Sequence, residues 1–531
     1  MSKQILFGAE AREKLQKGVD ILANAIRVTM GPKGKLVTFE RGTQIFSLDG
    51  VSVAREIFLK DPIENAGANM AKSVAIKTDK EAGNGTSASI ILFQEILREG
   101  LKSIVASMDM INVKVGINKG LNIIIGSLKK VSIPVKSVED LENVADISAR
   151  DKEIGKVVGG LAWKLGEDAI IAVEESNDFG ISSEIVNGFK LESGYLVDNM
   201  VTNRERQEVV LEDPYILVTD QNIKTNQDIS AFLEMVAATR KKTALVIAND
   251  VTGEALISVV INKIKGSLNI AAIKAPGVGA DKDSQLEDIC ALTGAKLISE
   301  KLNKTVEDAE LTDLGGADRV IITRDSTVII GGDGKEKDIK ARIKVLESGK
   351  SKEKMTYELD KIKNRLARLK GGVAVIKVGT RSEAENKEMR YRIEDAVRSA
   401  QSALSEGIIQ GAGMTLYRIS EELRKLAIKE TDMSIRQGLM ILVNATKEPA
   451  KQIITNAGDN ADVVLNNVVK NFSEEFGYNP DIRKEVNLIE SGIIDPTKVI
   501  RCALENAVSV VSLLLNTECV IAEEPEEKKE E

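Results

Sequence analysis

Apolar residues recur at helical spacing early in the chain, at Leu15, Val19, Leu22 and Ile26, until Gly31-Pro32 stops the run. That period predicts an amphipathic helix with one buried face. Leu36–Phe39 and Gln44–Phe46 read as two strands of a hairpin with Gly42 in the turn. Helical spacing returns over Asn65–Lys80 and Ser87–Met108, joined by the small-residue link Ala82-Gly83-Asn84-Gly85-Thr86. The middle of the chain changes character. Short β-rich runs at Tyr215–Thr219, Ala244–Ala248, Ile270–Ile273, Arg319–Thr323 and Thr327–Ile330 are interleaved with helical patterns such as Ala231–Ala238. This predicts an α/β segment. A charged helical run, Glu336–Lys370, closes it. After Gly371-Gly372 and the strand Val373–Val378, the chain reads as helical to near its end.

Helical ends around a β-rich centre predict that the two ends build one domain and the middle is inserted into it. Pro134 and Gly407 would be the outer joints, with Gly188 and Gly371-Gly372 the inner ones. The glycines would serve equally well as ordinary turn residues. At 531 residues and 57.6 kDa the chain is long enough for about three to four domains.

Charge and composition then narrow the chemistry. Lys plus Arg number 73 and Asp plus Glu 81, a net charge of −8, so avid binding of nucleic acid or anionic membrane is not expected. Aromatics make up 3%, with Trp163 the one tryptophan, which argues against base-stacking platforms. Histidine is absent. That removes Ser–His–Asp and Cys–His nucleophiles, zinc-peptidase motifs and histidine-ligated haem. Cys290, Cys502 and Cys519 are scattered, which suits free thiols in a reducing compartment better than a disulfide framework. The first residues, Met1 to Leu6, lack a signal-peptide core, and stretches such as Ala507–Leu515 fall short of the ~20 apolar residues of a bilayer span. A soluble, cytoplasmic protein is the expectation. The charged tail Glu523–Glu531 is expected to be disordered.

Two phosphate motifs fail on inspection. Gly349-Lys350-Ser351 ends like a P-loop, but Lys344 stands where the first glycine is needed. Gly277-Val278-Gly279 lacks the third glycine of a dinucleotide fingerprint. A better candidate is Gly83-Asn84-Gly85-Thr86-Ser87, which opens a helix and could bring backbone N–H groups and hydroxyls to an anion. The same residues would also serve as an N-cap. Gly31-Pro32-Lys33-Gly34 is a second tight turn, equally explained by helix termination. Asp49 and Asp395 are candidate acids, although no spacing brings them together.

These segments, with Asp49 to Ile57, Leu369–Gly379 and Asp495-Pro496-Thr497-Lys498-Val499, resemble group I chaperonins of the GroEL type from Leu6 to about Ile521. The resemblance implies a multi-domain α and α/β chain with the three-domain chaperonin fold. A helical equatorial ATPase domain would span 1–133 and 407–531, a small intermediate hinge domain 134–187 and 373–406, and an α/β apical substrate-binding domain 188–372. It implies an ATP-hydrolysing folding machine, grouped with the isomerases, that uses ATP, magnesium and potassium. Its partners would be unfolded client proteins, a GroES-type co-chaperonin and copies of itself, in two stacked seven-membered rings.

Residue by residue, Thr29, Met30, Gly31 and Pro32 would line the phosphates, and Gly85, Thr86, Ser87 and Ala88 would cradle them. Asp49 and Asp395 would orient the hydrolytic water. Asn479, Pro480 and Asp495 would hold the adenosine, with Ala412 close to the nucleotide. The departures are chemical. Asn84 stands where the family has an aspartate on magnesium, Leu48 replaces a lysine, and Ala412 interrupts a triple glycine. Leu404 and Ser405 alter the signature ahead of it. An amide at the metal predicts weaker magnesium binding or slower hydrolysis. The alternative is a chaperonin-like protein that holds clients and barely hydrolyses ATP.

Leu233, Leu256, Ile257, Val260, Ile261 and Ile264 lie on two helical patterns with wide apolar arcs. Burial is the plain reading of such arcs. By resemblance, Tyr195, Leu196, Leu233, Leu256, Val260 and Ile261 form a client-binding groove, in which Asn199, Met200 and Ser230 replace bulkier apolar residues. A narrower client range is expected. The tail lacks the family's Gly-Gly-Met repeat.

Overall fold

A computed structural model describes residues 3–523, apart from 42, 167–169, 177, 204–205, 278, 353–361, 363–364, 367–368 and 370–371. The hairpin turn at Gly42, Gly371 of the inner joint, most of the charged run after Lys352 and the tail after Glu523 lie outside the described residues. The chain forms two compact units. One comprises Met1–Asp168, Val173–Ile181 and Lys377–Glu531, and the other Ala169–Ala172 and Ser182–Ile376.

The first unit is helical and draws on both ends of the chain. Helix Gly8–Arg27 buries Leu15, Val19, Leu22 and Ile26, the stripe read from the sequence. Helices Pro62–Ala82 and Thr86–Val105 follow, and Phe93 and Ile96 of the second join the same core. That core also contains Leu416, Leu442, Leu504 and Val511 from the far end of the chain. Strand Lys3–Phe7 pairs antiparallel with Cys519–Glu523, Ile5 opposite Ile521. Helices Val138–Ala149 and Glu383–Glu406, which the resemblance assigns to a hinge domain, fall within this unit. A hairpin, Phe476–Asn479 against Lys484–Asn487, interrupts the region expected to be helical. Its strands are short and carry little alternation, so the sequence pattern hides them.

The second unit is the predicted α/β segment. Strands Tyr215–Val218, Thr243–Ala248 and Asn269–Lys274 run parallel, and helices Asn226–Ala237 and Gly253–Ile264 form the crossovers between them. All six residues of Thr243–Ala248 are buried, as a strand covered on both faces requires. Antiparallel strands Gly315–Ile322, Thr327–Gly332 and Gly188–Leu191 extend the sheet, and Val209–Glu212 pairs beside them. Among the described residues, no helix is long and apolar enough to cross a membrane.

Candidate functional site

The Gly83–Ser87 link is built as an open helix start. The N-cap of helix Thr86–Val105 is Gly85, in the left-handed region at φ 83°, and no side chain caps it. The N-cap alternative for Asn84 or Thr86 is therefore not realised. The first-turn N–H groups keep their anion-binding potential. Thr29 Oγ1 and Ser87 Oγ lie 3.2 Å apart, which joins the turn after Gly8–Arg27 to this link. A Cβ on Gly50 would sit 2.8 Å from both the Thr86 and the Ser87 hydroxyl, so the Asp49-Gly50 turn presses on the same spot. Thr29, Thr86 and Ala88 are buried, Met30, Gly31, Leu48 and Ser87 half-buried, and Pro32 exposed.

Asp49 caps its own helix, Gly50–Glu56. Its carboxylate accepts from Val51 N at 3.1 Å, Ser52 N at 2.9 Å and Ser52 Oγ at 2.6 Å. Among the described residues Oδ1 takes only the Val51 bond, and it retains capacity for a water.

Asn84 ties three elements together. Its amide nitrogen donates to Ser148 Oγ and Ser399 Oγ, each at 2.8 Å, and its Oδ1 accepts from Gly85 N at 2.6 Å. The two serine hydroxyls are themselves 3.0 Å apart. Ser399 lies on helix Glu383–Glu406, one turn after Asp395 and on the same face. Two further contacts clamp that helix to the link. Arg398 NH1 reaches Asp79 Oδ1 at 3.0 Å, and Ser402 Oγ donates to Ala82 O at 3.0 Å. The structure thus brings Asp49 and the helix of Asp395 to one link, a convergence the spacing could not reveal. Sequence reasoning missed Ser148 and Ser399. The one available signal was Ser399 lying a helical turn from a candidate acid.

Arg150 was also missed. It ends helix Val138–Ala149 in the left-handed region at φ 54°, and its NH2 donates to Thr29 O at 2.8 Å.

The far end of the site is also assembled. Asn456 Nδ2 donates to Arg27 O at 2.9 Å and Met30 O at 2.8 Å, and its helix, Glu448–Asn456, also meets the 411–413 turn, where a Cβ on Gly413 would lie 2.6 Å from Ala450 N. Lys33 pairs with Asp481 at 3.0 Å, beside Asn479 and Pro480. Ala412 adopts φ 54°. In that conformation a Cβ costs about 1 kcal/mol that glycine would avoid, so the strain lies in the backbone and not only in contact with a ligand.

Asp495 pairs through its backbone with Ile409, while its side chain has no hydrogen-bond or ion-pair partner among the described residues. Burial pushes its carboxyl up to about 6. A folded-state value above the unfolded one means that the fold holds the proton more tightly. The contribution of Asp495 to stability is therefore fully present below about pH 4 and is lost as pH rises to about 6. Asp495→Asn is expected to melt about 1–3 °C above wild type at pH 8, with the gap closing below pH 4. Thermal melts at both pH values check this, and a gap that does not change with pH would disprove it.

A nucleotide fits these residues: uncapped N–H groups and hydroxyls at one end, an unpartnered carboxylate at the other. Among the described residues no group of three or more Asp, Glu or Cys is poised to hold a metal. Magnesium here would rest on Asn84 Oδ1, phosphate oxygens and water.

In the second unit, Tyr195 and Leu233 are buried, and Leu196, Leu256 and Val260 are half-buried against the same core. Ile257, Ile261 and Ile264 are 58%, 43% and 67% exposed and form the outer stripe of helix Gly253–Ile264. Met200 is fully buried, and Ala272 N donates to its sulfur at 3.5 Å. It is a core residue, so its part in narrowing a groove is withdrawn.

The chain belongs to the TCP-1/cpn60 chaperonin family, whose model matches residues 22–525. It is a divergent, group I-type member. Its fold is similar to that of the chaperonin gp146 from the bacteriophage EL 2 (Pseudomonas aeruginosa), crystallised in the presence of ATP-BeFx. The TM-score is 0.68 at 20% identity, over 97% of this chain and 98% of that one.

Proposed function

We propose that the chain is an ATP-dependent chaperonin subunit that captures non-native polypeptides in a ring cavity and releases them folded, with a GroES-type co-chaperonin. The convergence at Gly83–Ser87 carries this reading. Thr29, the Asp49-Gly50 turn and the Asp395 helix all reach that one link. When bound, ATP supplies the phosphoryl group and magnesium offsets its charge. Thr29, Thr86, Ser87 and the helix N-terminus hold the phosphates. Asp49 and Asp395 orient water, and Asp495 accepts from the ribose. The three-domain boundaries, potassium dependence, double heptameric ring and cytoplasmic location belong to the same proposal, as does a client groove that includes Ile261. A second reading, a holding protein with little turnover, draws on Asn84, whose amide is already bonded on both sides.

Magnesium-dependent ATP hydrolysis by the purified protein separates the two readings. Assembly is tested by size. The two-stranded ribbons Lys3–Phe7/Cys519–Glu523 and Val37–Arg41/Thr43–Ser47 expose Phe7, Ile521 and Phe46, surfaces that a neighbouring copy could cover. Light scattering with ATP should report a species many times 57.6 kDa. A stable monomer at micromolar concentration would count against a ring.

A further inference from the structure

We propose that Arg150 reads the terminal phosphate of a nucleoside triphosphate bound at this link, its guanidinium exchanging the Thr29 carbonyl for a phosphate oxygen. This rests on the nucleotide-site reading above and adds a residue to it. A polyphosphate needs cations around it, and position 48 offers only a leucine. Three other cations of these segments are engaged. Lys33 pairs with Asp481 at 3.0 Å and Arg398 with Asp79 at 3.0 Å, while Arg392 lies 3.6 Å from both Asp151 and Glu388. Arg150 forms no ion pair among the described residues, and its one side-chain hydrogen bond goes to a neutral carbonyl of the phosphate turn.

Two features of its backbone point the same way. The residue sits at φ 54°, a helix end that glycine would occupy without strain, so the cap gains nothing from the side chain. Arg392 pins this corner, donating to Ala149 O at 2.6 Å and Arg150 O at 3.2 Å, and it lies three residues before Asp395 on the same helix. The guanidinium therefore projects onto the phosphate turn from a base fixed to the helix of Asp395. Although open to solvent on one side, it is hemmed in by protein, and that burial together with the charge of Arg392 lowers its pKa. An arriving anion relieves both effects.

The test is calorimetric titration with magnesium adenylyl imidodiphosphate, a non-hydrolysable triphosphate, and with magnesium ADP. Arg150→Gly suits the left-handed cap and keeps the fold; Arg150→Lys keeps a charge. Arg150→Gly should weaken triphosphate binding about ten- to a hundredfold, the range of a charged hydrogen bond, and leave ADP binding unchanged. Arg150→Lys should fall between Arg150→Gly and wild type. Equal losses for both nucleotides, or no loss for either, would overturn the role of Arg150 alone. Wild type binding neither nucleotide would overturn the site reading and this inference with it.

Discussion

Asp395→Ala is expected to lower steady-state ATP hydrolysis about 10²–10⁴-fold, the range for a lost general base, while ATP binding stays nearly unchanged. The geometry separates the two effects. The loops that would hold a nucleotide come from the 29–32 turn, the 85–88 helix start and the 411–413, 479–480 and 495 segments. Asp395 belongs to none of them. It stands on helix Glu383–Glu406, which reaches the link through Arg398, Ser399 and Ser402. The contacts of Arg398, Ser399 and Ser402 with the link do not pass through its carboxylate and should persist in the variant. Turnover measured beside equilibrium ATP binding decides the matter. Lost affinity would make Asp395 a binding or folding residue, and unchanged turnover would remove it from the chemistry.

Asn84→Asp should raise turnover by about an order of magnitude or more, since ~1.4 kcal/mol of barrier is tenfold in rate. The substitution exchanges two N–H donors for an acceptor against Ser148 and Ser399. Both hydroxyls can rotate to donate to the carboxylate, which keeps both links to residue 84 and gives up the hydrogen bond between Ser148 and Ser399. The new carboxylate adds charge at the position where a cation would meet the phosphates. Half-maximal activity should accordingly shift to lower magnesium. The check is a magnesium titration of hydrolysis in wild type and variant. If wild type already turns over briskly and the variant matches it, the amide is a competent ligand and the divergence at Asn84 has no catalytic consequence.

The buried stripe Leu15-Val19-Leu22-Ile26 and the strands at 215–218, 243–248 and 269–274 were legible because periodicity records burial directly. The turn at 29–32 and the link at 83–87 could be singled out because glycines and hydroxyls cluster there. What escaped the sequence depends on long-range geometry. Ser148 and Ser399 gain meaning only when Asn84 lies between them, and Arg150 only when Thr29 stands opposite. Met200 shows the opposite failure. Motif alignment placed it in a groove, while packing put its sulfur in the core under Ala272 N.

The core that unites Leu22 and Phe93 with Leu442 and Leu504 has a consequence for biogenesis. A ribosome makes the N-terminal helices first, and they stay without their partners until residues 132–408 have been added. At ~5–20 residues per second that interval is on the order of ten seconds to a minute. The middle unit, formed mostly by the continuous stretch Ser182–Ile376, can close meanwhile, but the outer one cannot. Its seal, Lys3–Phe7 against Cys519–Glu523, pairs a strand made before the middle unit with one made after it. Throughout synthesis the nascent chain therefore carries unpartnered apolar helices, the condition of the clients it is proposed to serve.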